Sequence, residues 1–521
     1  MMITFCLITG VVLITAILFR NKEKRLIHLS YYFGFINIVF SLIGIINYFV
    51  GPFVRNNALL GDRVFDTELL ISLFGFSLFI SLLFRSKNNL SRYFTLYLNV
   101  TTITYLLILR TRAGWVAAVI MLITSIIMVW IYHRKSISVN KIALKTGTLI
   151  ITALIVYILI PVNSNPERPD IIKTAESIFD RNYYSNQSRI DFWGASLKMF
   201  TNNPIFGIGA GKWAGNYPPY SGGLYTDENV DMNFAINPHN DYLEILVEYG
   251  LSGFLLFSLF IFAGLYSLFK KSRNNINYLP YYISALGICI LMFFSFTKDN
   301  FLVMIIFGIC MGVGYSSNYQ LAIMNYEFFK KNKVLLKKFI LVIGILLLSM
   351  GIWFKVMSYL NEREYLDAMR LKAQGKYVEM LDKLNNVSGF YYPVDMNKMP
   401  VDYYRGVGYF ELKQYDKALE KFRNAREYMK YYPTIMNNEA SALYMTGKNN
   451  EAEKIYLDTK GMFPNYIEPQ INLLSFYTNQ KRIPEAKDIL AELEKKTINT
   501  KYVKNYSVYL QIKDYFKETI R

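Results

Sequence analysis

NPHNDYLEILVEYGLSGFLLFSLFIFAGLYSLFKKSR, residues 237–273, carries the two signals on which the fold turns. It opens on a polar start around His239, runs into almost unbroken apolar sequence, and stops at Lys270, Lys271 and Arg273. An apolar run of this kind approaches the roughly 20 residues that a helix needs to cross a hydrocarbon layer about 30 Å thick. Comparable runs recur through residues 1–360, and ten spans are expected: 2–19, 29–50, 68–84, 93–109, 113–132, 143–162, 240–268, 278–296, 299–317 and 338–360. The first is expected to remain uncleaved, because no basic segment precedes it and no small-residue cleavage site follows. Beyond 360 the hydropathy falls and the chain reads as soluble.

Composition agrees with a membrane protein. The 521 residues are 53% hydrophobic and 16% aromatic, with a positive mean hydropathy, too apolar for an ordinary soluble chain. The net charge of +18 would suggest nucleic acid in a soluble protein, but here the basic residues gather between apolar runs and no aromatic-basic platform appears, so no nucleic-acid partner is expected. Cys6, Cys289 and Cys310 all lie inside apolar runs with no CxxC pair or metal-ligand spacing, which leaves them as inert core residues.

The charges set a topology. Alternate connections hold nineteen basic residues: Arg20, Lys22, Lys24, Arg25; Arg85, Lys87, Arg92; Arg134, Lys135, Lys141, Lys145; Lys270, Lys271, Arg273; and Lys330, Lys331, Lys333, Lys337, Lys338. The short connections of opposite parity hold five, Arg55, Arg63, Arg110, Arg112 and Lys298. By the positive-inside rule the first set is cytoplasmic. Both termini, an outer loop at 163–239 and everything after 360 are then extracytoplasmic, in a multi-pass protein of the cytoplasmic (inner) membrane.

Past residue 360 a fixed period appears. Within KQYDKALEKF, KNNEAEKIY and RIPEAKDIL, the alanines Ala418, Ala452 and Ala486 fall 34 residues apart. Gly406 and Tyr409 precede the first and Gly447 the second, while Phe422 and Tyr456 follow four residues after their alanines and Pro464 closes the second unit. This pattern resembles the tetratricopeptide repeat over about 400–500, with a degenerate unit around Gly375 and Tyr377 and a capping helix after 500. The expected fold is therefore all-α: a polytopic membrane domain, 1–360, followed by an α-solenoid, 361–521. Stacked hairpins of that kind present a concave surface suited to a peptide or protein partner.

Three segments near the outer loop carry chemistry. In the first, Asn237 is expected as an N-cap and Pro238 at the first helical position, placing His239 in the first turn. There the positive end of the helix dipole would keep the imidazole neutral and able to accept a proton, and would attract phosphate. Glu244 and Glu248 share one helical face at the membrane border, either as functional intramembrane carboxylates or as interfacial residues. The second segment is SRIDFWGASLKMFTNNPIFGIGAGKW, 188–213, in which Arg189 precedes an amphipathic helix and Gly207, Gly209 and Gly211 form a run read either as amides turned toward an anion or as a plain turn. The third is LRTRAGW, 109–115, where Arg110 and Arg112 sit at an outer boundary, suited to a lipid phosphate or to interfacial snorkelling. The acidic group Asp227, Glu228 and Asp231 is read as a cation site or a solvated loop.

Together the segments resemble the O-antigen ligase and polymerase superfamily of membrane glycosyltransferases of polysaccharide biosynthesis. His239, Asn240, nine residues, Gly250, two residues and Gly253 fit the family's H-[N/S/Q]-x9-G-x-x-G loop signature. TRAGW resembles the family's outer-facing arginine followed by a small residue and Trp, and Arg189 with the run Pro204 to Gly209 resembles the stretch before the histidine. The resemblance covers roughly 90–315. It implies a donor glycan on undecaprenyl pyrophosphate, an acceptor hydroxyl at the outer face, Arg112 and Arg189 on the pyrophosphate, and His239 assisting attack. No Asp-x-Asp motif occurs, and neither metal nor cofactor is expected. The acceptor stays open between a glycolipid, a growing glycan and a secreted protein, with the repeats a possible protein contact. The non-enzymatic alternative is a scaffold or transporter that presents the repeat domain. A transporter would be expected to show ionisable residues in mid-span.

Overall fold

The computed structural model describes residues 2–520 apart from 20–21, 51–57, 61, 84–88, 136, 160–170, 181, 221–225, 229–234, 317–332, 396, 497, 499 and 502. The side chains of Cys6, Arg92, Lys141, Lys333 and Lys337 and the residues Arg20, Arg55, Arg85, Lys87, Asp231, Lys330 and Lys331, all named above, lie outside the described residues.

Among the described residues the regular elements are helical. The first six are α1 (Met2–Leu18), α2 (Glu23–Val50), α3 (Arg63–Leu83), α4 (Asn89–Leu109), α5 (Arg112–Met128, continued by a π turn to His133) and α6 (Val139–Leu159). There follow α7 (Ile171–Glu176), α8 (Tyr184–Asn202), α9 (Trp213–Asn216), α10 (Asp241–Asn274), α11 (Leu279–Phe294), α12 (Phe301–Tyr315) and α13 (Lys333–Ala373). The remainder are α14 (Tyr377–Asn385), α15 (Val401–Glu411), α16 (Tyr415–Tyr428), α17 (Pro433–Met445), α18 (Asn449–Met462), α19 (Glu468–Asn479), α20 (Ile483–Glu494) and α21 (Tyr506–Ile520).

Among the described residues six stretches are long and apolar enough to cross a membrane: Glu23–Tyr48, Arg63–Ser81, Arg112–His133, Asp241–Asn274, Ile276–Phe294 and Lys338–Ala373. Four shorter apolar helices, Ile8–Leu18, Asn99–Leu109, Leu144–Leu159 and Phe301–Tyr315, fall at four further positions expected to span. The chain is thus a multi-pass membrane protein. On α10 and α13 large apolar side chains such as Leu256, Phe262, Leu346 and Trp353 are exposed, as the lipid-facing surface of a spanning helix requires.

The chain divides into two compact units, Met1–Ile190 with His239–Ile245 and Ser252–Trp353, and Asp191–Pro238 with Leu246–Leu251 and Phe354–Arg521. In the first, α3 lies at the centre, packed on α2, α4, α5, α11 and α12, with Leu70, Ile71 and Phe74 fully buried. Gly75 explains one close approach: a Cβ there would run into Pro280 O and the Ser284 side chain of α11. Cys289 and Cys310 are free thiols inside α11 and α12.

In the second unit each helix from α15 to α20 packs on the next in chain order. Ala418, Ala452 and Ala486 are fully buried, and a Cβ on Gly406 would collide with the Phe422 ring. The 34-residue interval also appears in the backbone: Lys413, Gly447 and Lys481, each in the turn between paired helices, have φ of 60°, 77° and 57°. This left-handed conformation closes a helix. The core of this unit extends to Trp213, Tyr217, Ala235 and Val247, and Tyr431 N donates to Gly215 O at 3.0 Å. Asp227, expected in a solvated or cation-binding loop, instead accepts from the backbone N–H groups of Ile467 and Glu468 at 2.8 and 2.9 Å, satisfying donors at the start of α19. Its neighbour Glu228 is exposed.

Candidate functional site

The site builds from the head of α10. Its N-cap is Asn240, whose side chain accepts from Leu243 N at 3.1 Å and whose carbonyl accepts from Glu244 N at 3.0 Å. The expected cap at Asn237 and first-turn position for His239 are therefore corrected: the helix begins at Asp241, because Asn240 supplies the same capping oxygen three residues later. His239 precedes the cap with φ +52°, a left-handed backbone that costs a non-glycine residue roughly 1–2 kcal/mol. The ring is half-buried and packs on Phe296, with 5.4 Å between centroids. Burial, reinforced by the charge of Arg189, lowers its pKa to about 4. The imidazole is neutral at pH 7 for these reasons rather than through the helix dipole.

Arg189, on the first half of α8, has its own pKa lowered to about 10 by burial and by the charge of Arg112, so it remains cationic at neutral pH. One helical turn later on α8, Trp193 donates to Pro238 O at 3.1 Å, fixing the residue before His239. Arg112 opens α5 and donates to three neutral acceptors, Ser177 O at 3.0 Å, Asn186 Oδ1 at 2.8 Å and Ser185 Oγ at 2.8 Å, with its guanidinium 4.8 Å from the Tyr183 ring centre. These bonds hold the charge in place without neutralising it. Arg63, entered above only as a connecting residue, stands within Coulombic reach of Arg112. Its carbonyl accepts from the Thr67 hydroxyl at 2.8 Å, which in turn meets Thr111 at 2.7 Å. Among the described residues neither Arg63 nor Arg189 has a carboxylate partner.

The rest of the TRAGW segment explains its residue types. A Cβ on Gly114 would strike Thr67 of α3, and Trp115 Nε1 donates to Leu106 O at 3.0 Å, tying α5 back to α4. Arg110, in a left-handed backbone at φ +50°, donates to the Tyr157 hydroxyl at 3.0 Å.

The glycine run does other work. Ile208 N and Gly209 N donate to Val247 O and Glu248 O at 3.0 and 2.9 Å, and Leu251 N donates to Pro204 O at 2.8 Å. These bonds clasp a break in α10 at Gly250, which has φ +64°. A Cβ on Gly250 would meet Ile205 O, and one on Gly207 would meet Glu248. Two of the amides read as a possible anion cradle, those of Ile208 and Gly209, are thus spent on helix carbonyls. Gly250 allows a backbone crossing, and Gly253 is a half-buried helical position beyond it.

Beside Phe296 lies a buried polar layer that sequence reasoning largely missed. Lys298 Nζ stands 2.9 Å from Glu244, 3.8 Å from Asp241 and 3.5 Å from Asp299. Glu68 of α3 accepts from Ser295 at 2.7 Å, Thr297 at 3.1 Å and Asn300 at 3.1 Å. The available signal was a glutamate at the edge of an apolar run, since intramembrane carboxylates are costly. Glu248, paired with Glu244 in sequence, faces different partners and accepts from Trp213 N at 3.1 Å.

No curated protein matches this sequence. Residues 97–258 match the family model described as O-Antigen ligase, a stretch that holds Arg110, Arg112, Arg189, His239 and Gly250, and this match supports the O-antigen ligase superfamily and a membrane glycan-transfer activity.

Proposed function

We propose that the chain transfers a glycan from undecaprenyl pyrophosphate to an acceptor hydroxyl at the outer face of the cytoplasmic membrane. The observation that carries this is a group of arginines beside a neutral histidine: Arg63, Arg112 and Arg189 cluster without a carboxylate partner for Arg63 or Arg189 among the described residues, next to an imidazole held unprotonated. Such a cluster suits a diphosphate, and the neutral ring suits a base.

In the reaction the acceptor hydroxyl oxygen forms a bond to the anomeric carbon while His239 receives its proton. The bond from that carbon to the pyrophosphate oxygen breaks, and the electron pair leaves with the phosphate. Arg112 and Arg189 offset the charge that develops there, an effect of the kind that reaches about 10²- to 10³-fold per donor. A pyrophosphate already leaves well, so the residues need no metal for this step. Ten spans with both termini outside would put the histidine, the outer loop and residues after 360 on the acceptor's side of the membrane. The recurrence of left-handed turns at Lys413, Gly447 and Lys481 favours a tetratricopeptide-like solenoid as an acceptor or partner contact.

The test is transfer by His239→Ala protein present at parental levels. A loss of about 10²- to 10⁴-fold is expected for a general base, and transfer at the parental rate would remove the reading. Mass spectrometry of the material that lacks sugar in a null strain identifies the acceptor.

A further inference from the structure

The contact between His239 and Phe296 joins two segments, the head of α10 and the turn Ser295–Asn300 between α11 and α12. Polar bonds fix that turn at both ends. On one side Lys298 N donates to Asp241 Oδ2 at 2.9 Å and Lys298 Nζ pairs with Glu244 at 2.9 Å. On the other, Ser295, Thr297 and Asn300 all donate to Glu68. The groups are withdrawn from solvent: Asp241 is 0% exposed, Glu244 2%, Glu68 1% and Lys298 9%.

Burying charges in this way is a poor route to stability, since well-packed apolar residues often serve as well or better. What a charged cluster supplies is a single arrangement. The residue two places before Asp241 needs one, because His239 is held in a left-handed backbone that persists only where the surroundings over-determine it.

We infer that Lys298, clamped by Glu244 and Asp241, is a positioning residue that holds the Ser295–Asn300 turn and its Phe296 ring against His239 and so keeps the imidazole seated. This rests on His239 being the working group of the site. The ring is faced by Phe296 from the turn and by Arg189 from α8, with Arg112 behind Arg189; the cluster's Asp241, Glu244, Lys298 and Asp299, and Glu68 of α3, complete the charged surroundings. If the clamp loosens, the ring leaves Phe296 and water reaches it.

The chain has three histidines, His28, His133 and His239, so the imidazole resonances of the isotope-labelled full-length protein in nanodiscs can be assigned with His239→Gln. The His239 midpoint, expected near 4 in the parent, should rise by about one pH unit or more toward the ordinary 6.5 in Glu244→Gln. That direction separates positioning from simple charge, because loss of a nearby carboxylate by itself would lower the midpoint. Lys298→Met should raise it as well, and Lys298→Arg should restore it. A midpoint unmoved or lowered in Glu244→Gln overturns the inference, as does a Lys298→Arg midpoint as high as that of Lys298→Met. Should Lys298→Met fail to fold, Glu244→Gln, which keeps the side-chain volume, still decides. The titration needs no substrate, so its outcome is independent of whether His239 serves in glycan transfer.

Discussion

Two charged clusters lie within the membrane-spanning unit, and they are built on opposite plans. Around Lys298 the acids have a cation to share: one ammonium touches Glu244, Asp241 and Asp299, and Glu68 receives three donors. Around Arg112 the plan differs. Arg112 is held by a carbonyl, an amide and a hydroxyl, while Arg63 and Arg189 have no carboxylate among the described residues. A cluster whose charges are held by one another specifies structure, whereas one that leaves cations without carboxylates is arranged for something that arrives. Stability should therefore track the first and activity the second.

The sharpest way to break this contrast is Lys298→Ala. Buried Asp241 and Glu244 would lose their cation, and removal of one partner from a buried pair typically costs about 3–5 kcal/mol. Thermal unfolding in detergent should show a large drop, and a melting temperature equal to the parent's would mean the cluster does not specify structure. Arg189→Ala should behave in the opposite way. Transfer should fall by about 10²- to 10³-fold while the melting temperature holds or rises, because the substitution relieves repulsion from Arg112. A loss of stability equal to that of Lys298→Ala would erase the distinction.

How far these clusters could be read from sequence follows the same division. The arginines and His239 stood out because each breaks a local rule: Arg110 and Arg112 lie on the side poor in basic residues, and His239 opens a motif of fixed spacing. The positions of the apolar helices were equally legible, since each follows from an uninterrupted run. Lys298 and Glu68 are separated by 230 positions in the chain, and only packing of α3 beside the α11–α12 turn brings them to one layer. The start of α10 was misplaced because Asn237 and Asn240 are both competent caps, and tertiary packing chose the second. The glycine run was ambiguous for a related reason: its amides needed acceptors, and the break at Gly250 that supplies them is invisible without the backbone.

A smaller effect sharpens the description of His239. With its pKa near 4 in the folded protein, the imidazole stays neutral and transfer should be flat from pH 8 to about 5.5, then decline toward 4. Removing Arg189 takes away the second cause of the depression, so the residual activity of Arg189→Ala should begin its decline at higher pH. The sign for stability follows. Between 6.5 and 4 the unfolded chain binds the proton that the folded chain refuses, so stability falls as pH drops through that window. His239→Gln should flatten this slope, and an unchanged slope would assign it to another group.

The least effect is expected from Arg110→Ala, and it tests where the arrival site ends. Arg110 shares a connection with Arg112 and was an equal candidate for a phosphate, yet it donates to the Tyr157 hydroxyl of α6, an intramolecular partner on an apolar helix. A hydrogen bond to a neutral hydroxyl contributes about 0.5–1.5 kcal/mol, and the left-handed backbone at φ +50° disfavours alanine as it does arginine. The expected outcome is a melting temperature lowered slightly and transfer within about threefold of the parent, an effect below 1 kcal/mol on the barrier. A loss on the scale of Arg189→Ala, with the donor's KM raised, would instead extend the unanswered cluster to Arg110 and enlarge the surface that the incoming phosphate meets.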